Sequence, residues 1–164
     1  MVSQELVDYF NQYGLIVILG IMYLEGLNLT GIPALVLLPT MGVFANYSSY
    51  SFFMILGVSI LGSMLGNITY YAVVKAVGPK IYNYFYNKFK GIRKSLDKTQ
   101  ELSEQHGNKV CLIGRIMPGA RTVVTLLTAT FGIEIKPFII YSLGGITIWN
   151  FVLILIGYVA GGIL

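Results

Sequence analysis

The chain has 164 residues, of which 55% are hydrophobic and only 11% charged, with a formal net charge of +4. A soluble domain carries about 25% charged residues, so this chain lacks the polar surface needed to face water. The positive balance does not indicate nucleic acid, because the basic residues adjoin apolar spans, where a cytoplasmic membrane face accounts for them.

Residues 3–13 read as a short interfacial helix, with Leu6, Val7, Phe10 and Tyr13 on one face. Glu5 and Asp8, with no Lys or Arg beside them, do not form the basic start of a signal peptide. Leu15–Leu24 is apolar but stops at Glu25, and Ile32–Ala45 is apolar but interrupted by Pro33, Pro39 and Gly42. Neither piece reaches the ~20 residues of a comfortable span. The sequence therefore predicts two half-length helices around the polar elbow Glu25–Gly31, a re-entrant hairpin held inside protein or against a watery cavity.

Tyr47–Val74 and Pro137–Leu164 contain no charged residue, and each is long enough to cross a hydrocarbon core. Phe52–Val77 reads as the first full span, with Lys75 snorkelling and Gly78-Pro79 as the stop. Residues 80–106 then repeat Ile81, Phe85, Phe89, Ile92, Leu96 and Leu102 at helical spacing, an amphipathic surface helix. Lys80, Lys88, Lys90, Arg93, Lys94, Lys98 and Lys109, most of the 11 basic residues, place this segment on the cytoplasmic side. Val110–Ile133 repeats the broken-helix pattern, and Pro137–Leu164 is the last span.

The halves also align with one another. Gly62-Ser63-Met64-Leu65-Gly66-Asn67 matches Gly145-Ile146-Thr147-Ile148-Trp149-Asn150, and Gly78 matches Gly161 at the same offset. The sequence thus predicts one all-α membrane domain. Repeat 1 covers about 14–78, an amphipathic cytoplasmic linker 79–108, and repeat 2 109–164. A hairpin plus one span crosses an odd number of times, so the copies would be inverted, which is a transporter design.

The segment Arg115-Ile116-Met117-Pro118-Gly119-Ala120-Arg121 carries most of the chemistry. An arginine at mid-bilayer costs about 2.5–3.5 kcal/mol, so two of them need a partner. A break at Pro118-Gly119 would let both guanidinium groups converge, and their forks match phosphate oxygens. The alternative is that both snorkel to the cytoplasmic interface. Glu25, the one acid in the first apolar region, fits a proton-coupling carboxyl or the counter-ion of Arg115 or Arg121; a third placing turns it toward head groups. Asn67 and Asn150 suit hydrogen bonds between helices, Gly62/Gly66 and Gly157/Gly161 suit close packing, and Trp149 falls inside its span as a core residue.

A single cysteine, Cys111, and a single histidine, His106, exclude an intrachain disulfide, a thiolate metal site and most triad chemistry. No metal or cofactor is expected. A membrane enzyme acting on a phosphate ester is weighed against transport, but it would usually need a histidine better placed than His106. An ion- or proton-coupled transporter of small solutes remains open, as does a homo-oligomer.

Glu25, Ile32-Pro33, Leu38-Pro39, Gly42, Gly62, Gly66 and Tyr70-Tyr71, with Gly114–Arg121 and then Phe138, Gly144, Trp149-Asn150 and Gly157-Tyr158, resemble the DedA (SNARE-associated, VTT-domain) family over roughly residues 13–162. The resemblance implies two re-entrant hairpins in a cell membrane, most naturally the bacterial cytoplasmic membrane. It also implies translocation of a phosphate-headed lipid, undecaprenyl phosphate or a phospholipid, by Glu25, Arg115 and Arg121. Pro118 and Gly119 would shape the site, with Pro33, Pro39, Asn67, Trp149 and Asn150 supporting it. Two departures are visible: Ile32-Pro33-Ala34-Leu35-Val36 lacks the second acid of many members, and Ala129-Thr130 replaces a usual Ala-Gly.

Overall fold

The computed structural model describes residues 4–29, 34–88, 101 and 134–163. Four helices account for nearly all of them: α1 Gln4–Gly26, α2 Ala34–Tyr47, α3 Phe52–Lys88 and α4 Ile135–Ile163. Within these, Phe52–Val77 and Ile135–Ile163 are long and apolar enough to cross a membrane, and only 39% and 33% of their most apolar windows are buried. Core helices of soluble proteins are mostly buried, whereas here Phe53, Leu61, Ile140 and Ile156 stand outward. Such a surface needs hydrocarbon around it.

Two sequence expectations are corrected. The N-terminal region is not a separate interfacial piece, because α1 runs unbroken from Gln4 to Gly26. No proline interrupts it, and Gly14 is tolerated for about 1 kcal/mol. The span Phe52–Val77 stands as expected, but Gly78-Pro79 does not end the helix, since α3 continues to Lys88. Proline removes one helical hydrogen bond, but it does not stop an established helix that the run Lys80–Lys88 can extend.

The helix ends follow local chemistry. Asn28 adopts a left-handed φ of 58°. The Leu29 N–H donates to the Leu24 carbonyl at 3.0 Å and the Asn28 N–H to that of Glu25 at 2.9 Å. This is a Schellman ending, with asparagine where glycine is commoner. Ser51 caps α3, its hydroxyl oxygen accepting from the Met54 N–H at 3.3 Å. Pro137 sits in the first turn of α4, where a missing N–H leaves no bond unmade. In α2, Pro39 lies mid-helix and the Thr40 hydroxyl donates to the Val36 carbonyl at 2.7 Å.

Contacts divide the chain into two units, Met1–Gly66 with Thr147–Leu164, and Asn67–Ile146. In the first, glycines set the packing. A Cβ on Gly62 would meet Leu19, Met22 and Tyr23, and one on Gly66 would meet Tyr23 and Gly26. Both numbers rise together, so α1 and α3 run parallel. A Cβ on Gly157 would collide with the backbone of Pro39, and one on Gly161 would press on Val43 and Asn46, so α2 and α4 also run parallel. The Asn46 amide donates to the Tyr158 carbonyl, and the Tyr47 hydroxyl to that of Gly161 at 3.3 Å. Phe52 meets Phe151 and Tyr158 while Ser59 meets Asn150, so α3 and α4 are antiparallel. It follows that α1 and α2 run in opposite directions, each seated on a different long helix. Ile18, Met22, Leu38, Met41, Ile55, Leu56, Leu153 and Ile154 fill the space between them.

In the second unit, Tyr71 stacks on Phe138 with ring centroids 4.6 Å apart, and Val74 completes the cluster. The Lys75 ammonium lies 5.7 Å from the Tyr71 ring centroid.

Candidate functional site

Glu25 stands in the last turn of α1. Gly14, Ile18, Met22, Glu25 and Gly26 form one buried stripe at helical spacing. Glu25 is only 8% exposed, so it faces inward. Its neighbour Gly26 lies against Gly66, which brings the carboxyl-bearing turn up to α3. A larger residue at position 66 would hold α1 off. The close fit of glycine on glycine thus seats this acid between α1 and α3.

Farther along the same face of α3 is a polar seam that sequence reasoning missed. Ser59 and Ser63 are fully buried, and in the second unit Ser142 is too. The Asn150 amide donates to the Ser59 hydroxyl oxygen at 3.2 Å, and the Ser59 hydroxyl donates to the Leu56 carbonyl at 2.8 Å. Serine has one proton, and here it is committed to Leu56, so Ser59 can only accept from Asn150. That fixes the carboxamide with its N–H₂ toward Ser59. Its Oδ1 is left buried without a partner among the described residues. The Trp149 indole N–H is likewise buried and unpartnered, while its ring packs against the apolar core. A signal for the serines was present: Ser59 and Ser142 stand at the offset that aligns Asn67 with Asn150.

Of the other candidates, Pro39 packs its backbone against Gly157, and Asn67 is buried at 3% exposure. Pro33, Arg115, Pro118, Gly119 and Arg121 lie outside the described residues, as do Cys111 and His106. So does most of the amphipathic linker, of which 79–88 continue α3 and Glu101 is helical and exposed.

Residues 32–159 match the VTT domain. The chain belongs to the VTT-domain, or DedA, family of membrane proteins. It is 25% identical over 163 residues to the uncharacterized membrane protein YbfM of Bacillus subtilis, covering 98% of this chain and 96% of that one. It is 24% identical over 159 residues to undecaprenyl phosphate transporter A of Staphylococcus aureus, covering 94% and 78%. An uncharacterized membrane protein of Buchnera aphidicola is 29% identical over 154 residues, covering 91% of this chain but 58% of the relative, so this chain spans little more than half the length of that protein. No solved structure matches.

Proposed function

We propose that this protein moves a phosphate-headed lipid, undecaprenyl phosphate or a phospholipid, across a bacterial cytoplasmic membrane. The observation that carries the reading is Glu25, a carboxyl buried at the C-terminal end of α1, in a chain similar to a named undecaprenyl phosphate transporter. Acids in apolar spans are retained for transport paths, proton relays or counter-ions. In this reading Arg115 and Arg121, brought together by the break at Pro118-Gly119, grip the phosphate with their planar forks. Glu25 neutralises them when the site is empty or couples the cycle to a proton.

The architecture we propose is an inverted repeat. α2, at 14 residues, extends only about 21 Å against a hydrocarbon core of about 30 Å. α1 and α2 run in opposite directions about the elbow, as the arms of a re-entrant hairpin would. Repeat 2, about 109–164, supplies the mate, and the basic linker lies in the cytoplasm. Family members carry the names of transporters or of uncharacterized membrane proteins, which favours transport over catalysis.

Flipping of labelled lipids by the reconstituted protein tests the reading. Arg115→Ala or Arg121→Ala should abolish it in folded, inserted protein. Lysine should rescue poorly, because an ammonium keeps the charge and loses the fork. Near-normal rates for both lysine variants would refute the bidentate site, since a snorkelling lysine reaches the interface as well as arginine does. Movement of a small ion or solute without lipid would favour the alternative, an ion-coupled solute transporter.

A further inference from the structure

Two polar atoms on consecutive residues of α4 are buried without a partner among the described residues, and they are of opposite kind. The Trp149 indole N–H can only donate, and the Asn150 Oδ1 can only accept. Asn150 is 0% exposed, and its N–H₂ is already held by Ser59 at 3.2 Å, so turning the carboxamide over does not satisfy the oxygen. Each atom forfeits its hydration for nothing if it stays dry. The first turn of α2 lies at the same depth in this unit. Pro39 seats on Gly157 and the two helices run parallel, so Ala34, five residues earlier, stands level with Val152, two residues from Asn150. The N–H groups of a first helical turn have no acceptor in their own helix, so they too must find one elsewhere. The side chains that fill the space around them, Leu38, Ile55, Leu56, Leu153 and Ile154, offer none.

We propose that Asn150 and Trp149 hold a buried water molecule beside the start of α2, a hydration site inside the first unit. Water meets both demands at once: its oxygen accepts from the indole N–H, and one of its protons goes to the Asn150 Oδ1. A buried water makes about three hydrogen bonds, and the first-turn N–H groups of α2 are donors for the third. Polarity rules out simple ions, since an anion would face the Asn150 oxygen and a cation the indole N–H. The site also has a place in the unit. Ser59, Ser63 and Gly66 recur at i, i+4 and i+7 on α3, so one stripe about 10 Å long leads from the Asn150 contact to the turn where Gly26 meets Gly66 and Glu25 is buried. Water at the foot of that stripe begins a path by which Glu25 exchanges protons. That role rests on the transport reading above, whereas the site itself does not.

Trp149 is the only tryptophan, so selective excitation of the reconstituted full chain reads this site alone. An indole bonded to water emits at longer wavelength and gains fluorescence lifetime in D2O, and a dry one does neither. The wild-type lifetime should therefore rise in D2O. Asn150→Leu, which keeps a branched outline and removes the acceptor, should lose that rise and emit at shorter wavelength. Ser59→Ala breaks the bond between the helices but leaves the Asn150 oxygen, so it should keep the rise, which separates bound water from a loosened contact. A wild-type lifetime indifferent to D2O would overturn the proposal, as would a rise that survives in Asn150→Leu or is lost equally in both variants. Should Asn150→Leu fail to fold, deuteration of the wild-type indole N–H decides: exchange ahead of the α4 backbone amides supports the site, and exchange only together with them refutes it. If the wild-type protein flips no lipid, the transport reading fails, and the D2O response still decides the site.

Discussion

The two arms of the first unit, α1 and α2, are built alike and loaded differently. α1 and α2 each seat an inward stripe on a parallel long helix through a glycine pair, Gly62/Gly66 for α1 and Gly157/Gly161 for α2. The α2 stripe, Leu38, Met41, Gly42 and Ala45, contains no ionisable group. The α1 stripe ends on Glu25. In a bilayer, lipid tails are as apolar as leucine and do not drive helices together, so close backbone approach supplies the attraction for both arms. One packing device therefore serves two ends: α2 is an anchor, whereas α1 positions a buried acid. The α2 contact is also reciprocal, because a Cβ on Gly42 would in turn collide with the backbone of Ile154 and Tyr158.

The largest expected effect lies on the anchor side. Gly157→Val would drive a branched side chain into the Pro39 backbone, where no rotamer can yield. It should destabilise by more than the about 1–3 kcal/mol typical of overpacking, read as loss of folded protein on heating in detergent. Gly62→Ala should cost less, since an added Cβ there comes no nearer than 2.7 Å, to the Leu19 carbonyl oxygen, against a far deeper overlap with the Pro39 carbonyl oxygen at Gly157. Equal losses in the two variants would show that the arms are not anchored differently.

Next comes the cargo of α1. Glu25→Gln should leave thermal stability within about 1 kcal/mol, because the amide fills the same space and can still hydrogen-bond. It should cut lipid flipping at least about tenfold and flatten any pH dependence of the rate. Wild-type flipping and pH profile in folded Glu25→Gln would remove the carboxyl from the mechanism and make α1 an anchor like α2. Ser59→Ala should be milder, costing about 1 kcal/mol of stability by leaving the Asn150 amide unpaired. The smallest effect is expected at Gly20 and Gly57, where an added Cβ meets nothing within 4 Å. Alanine there should be neutral or stabilising by up to about 1 kcal/mol. A large loss at Gly20 would mean that α1 has a second close-packed face.

Patterns along the chain determined much of this protein. Charge-free runs such as Tyr47–Val74 marked the spans, because length and polarity alone decide whether a helix suits hydrocarbon. Glycines four apart marked the packing faces, and the motif order through Trp149-Asn150 marked the family. The extents of α1 and α3 did not follow from local signals, since Gly14 and Gly78-Pro79 lower helix stability without having to end a helix. Only the tertiary structure decided which helix each arm sits on, that Glu25 turns inward, and that Ser59 rather than another helix's backbone meets Asn150. Such choices depend on the direction in which helices distant in sequence approach one another. Periodicity fixes which face of a helix is special, but not what that face meets.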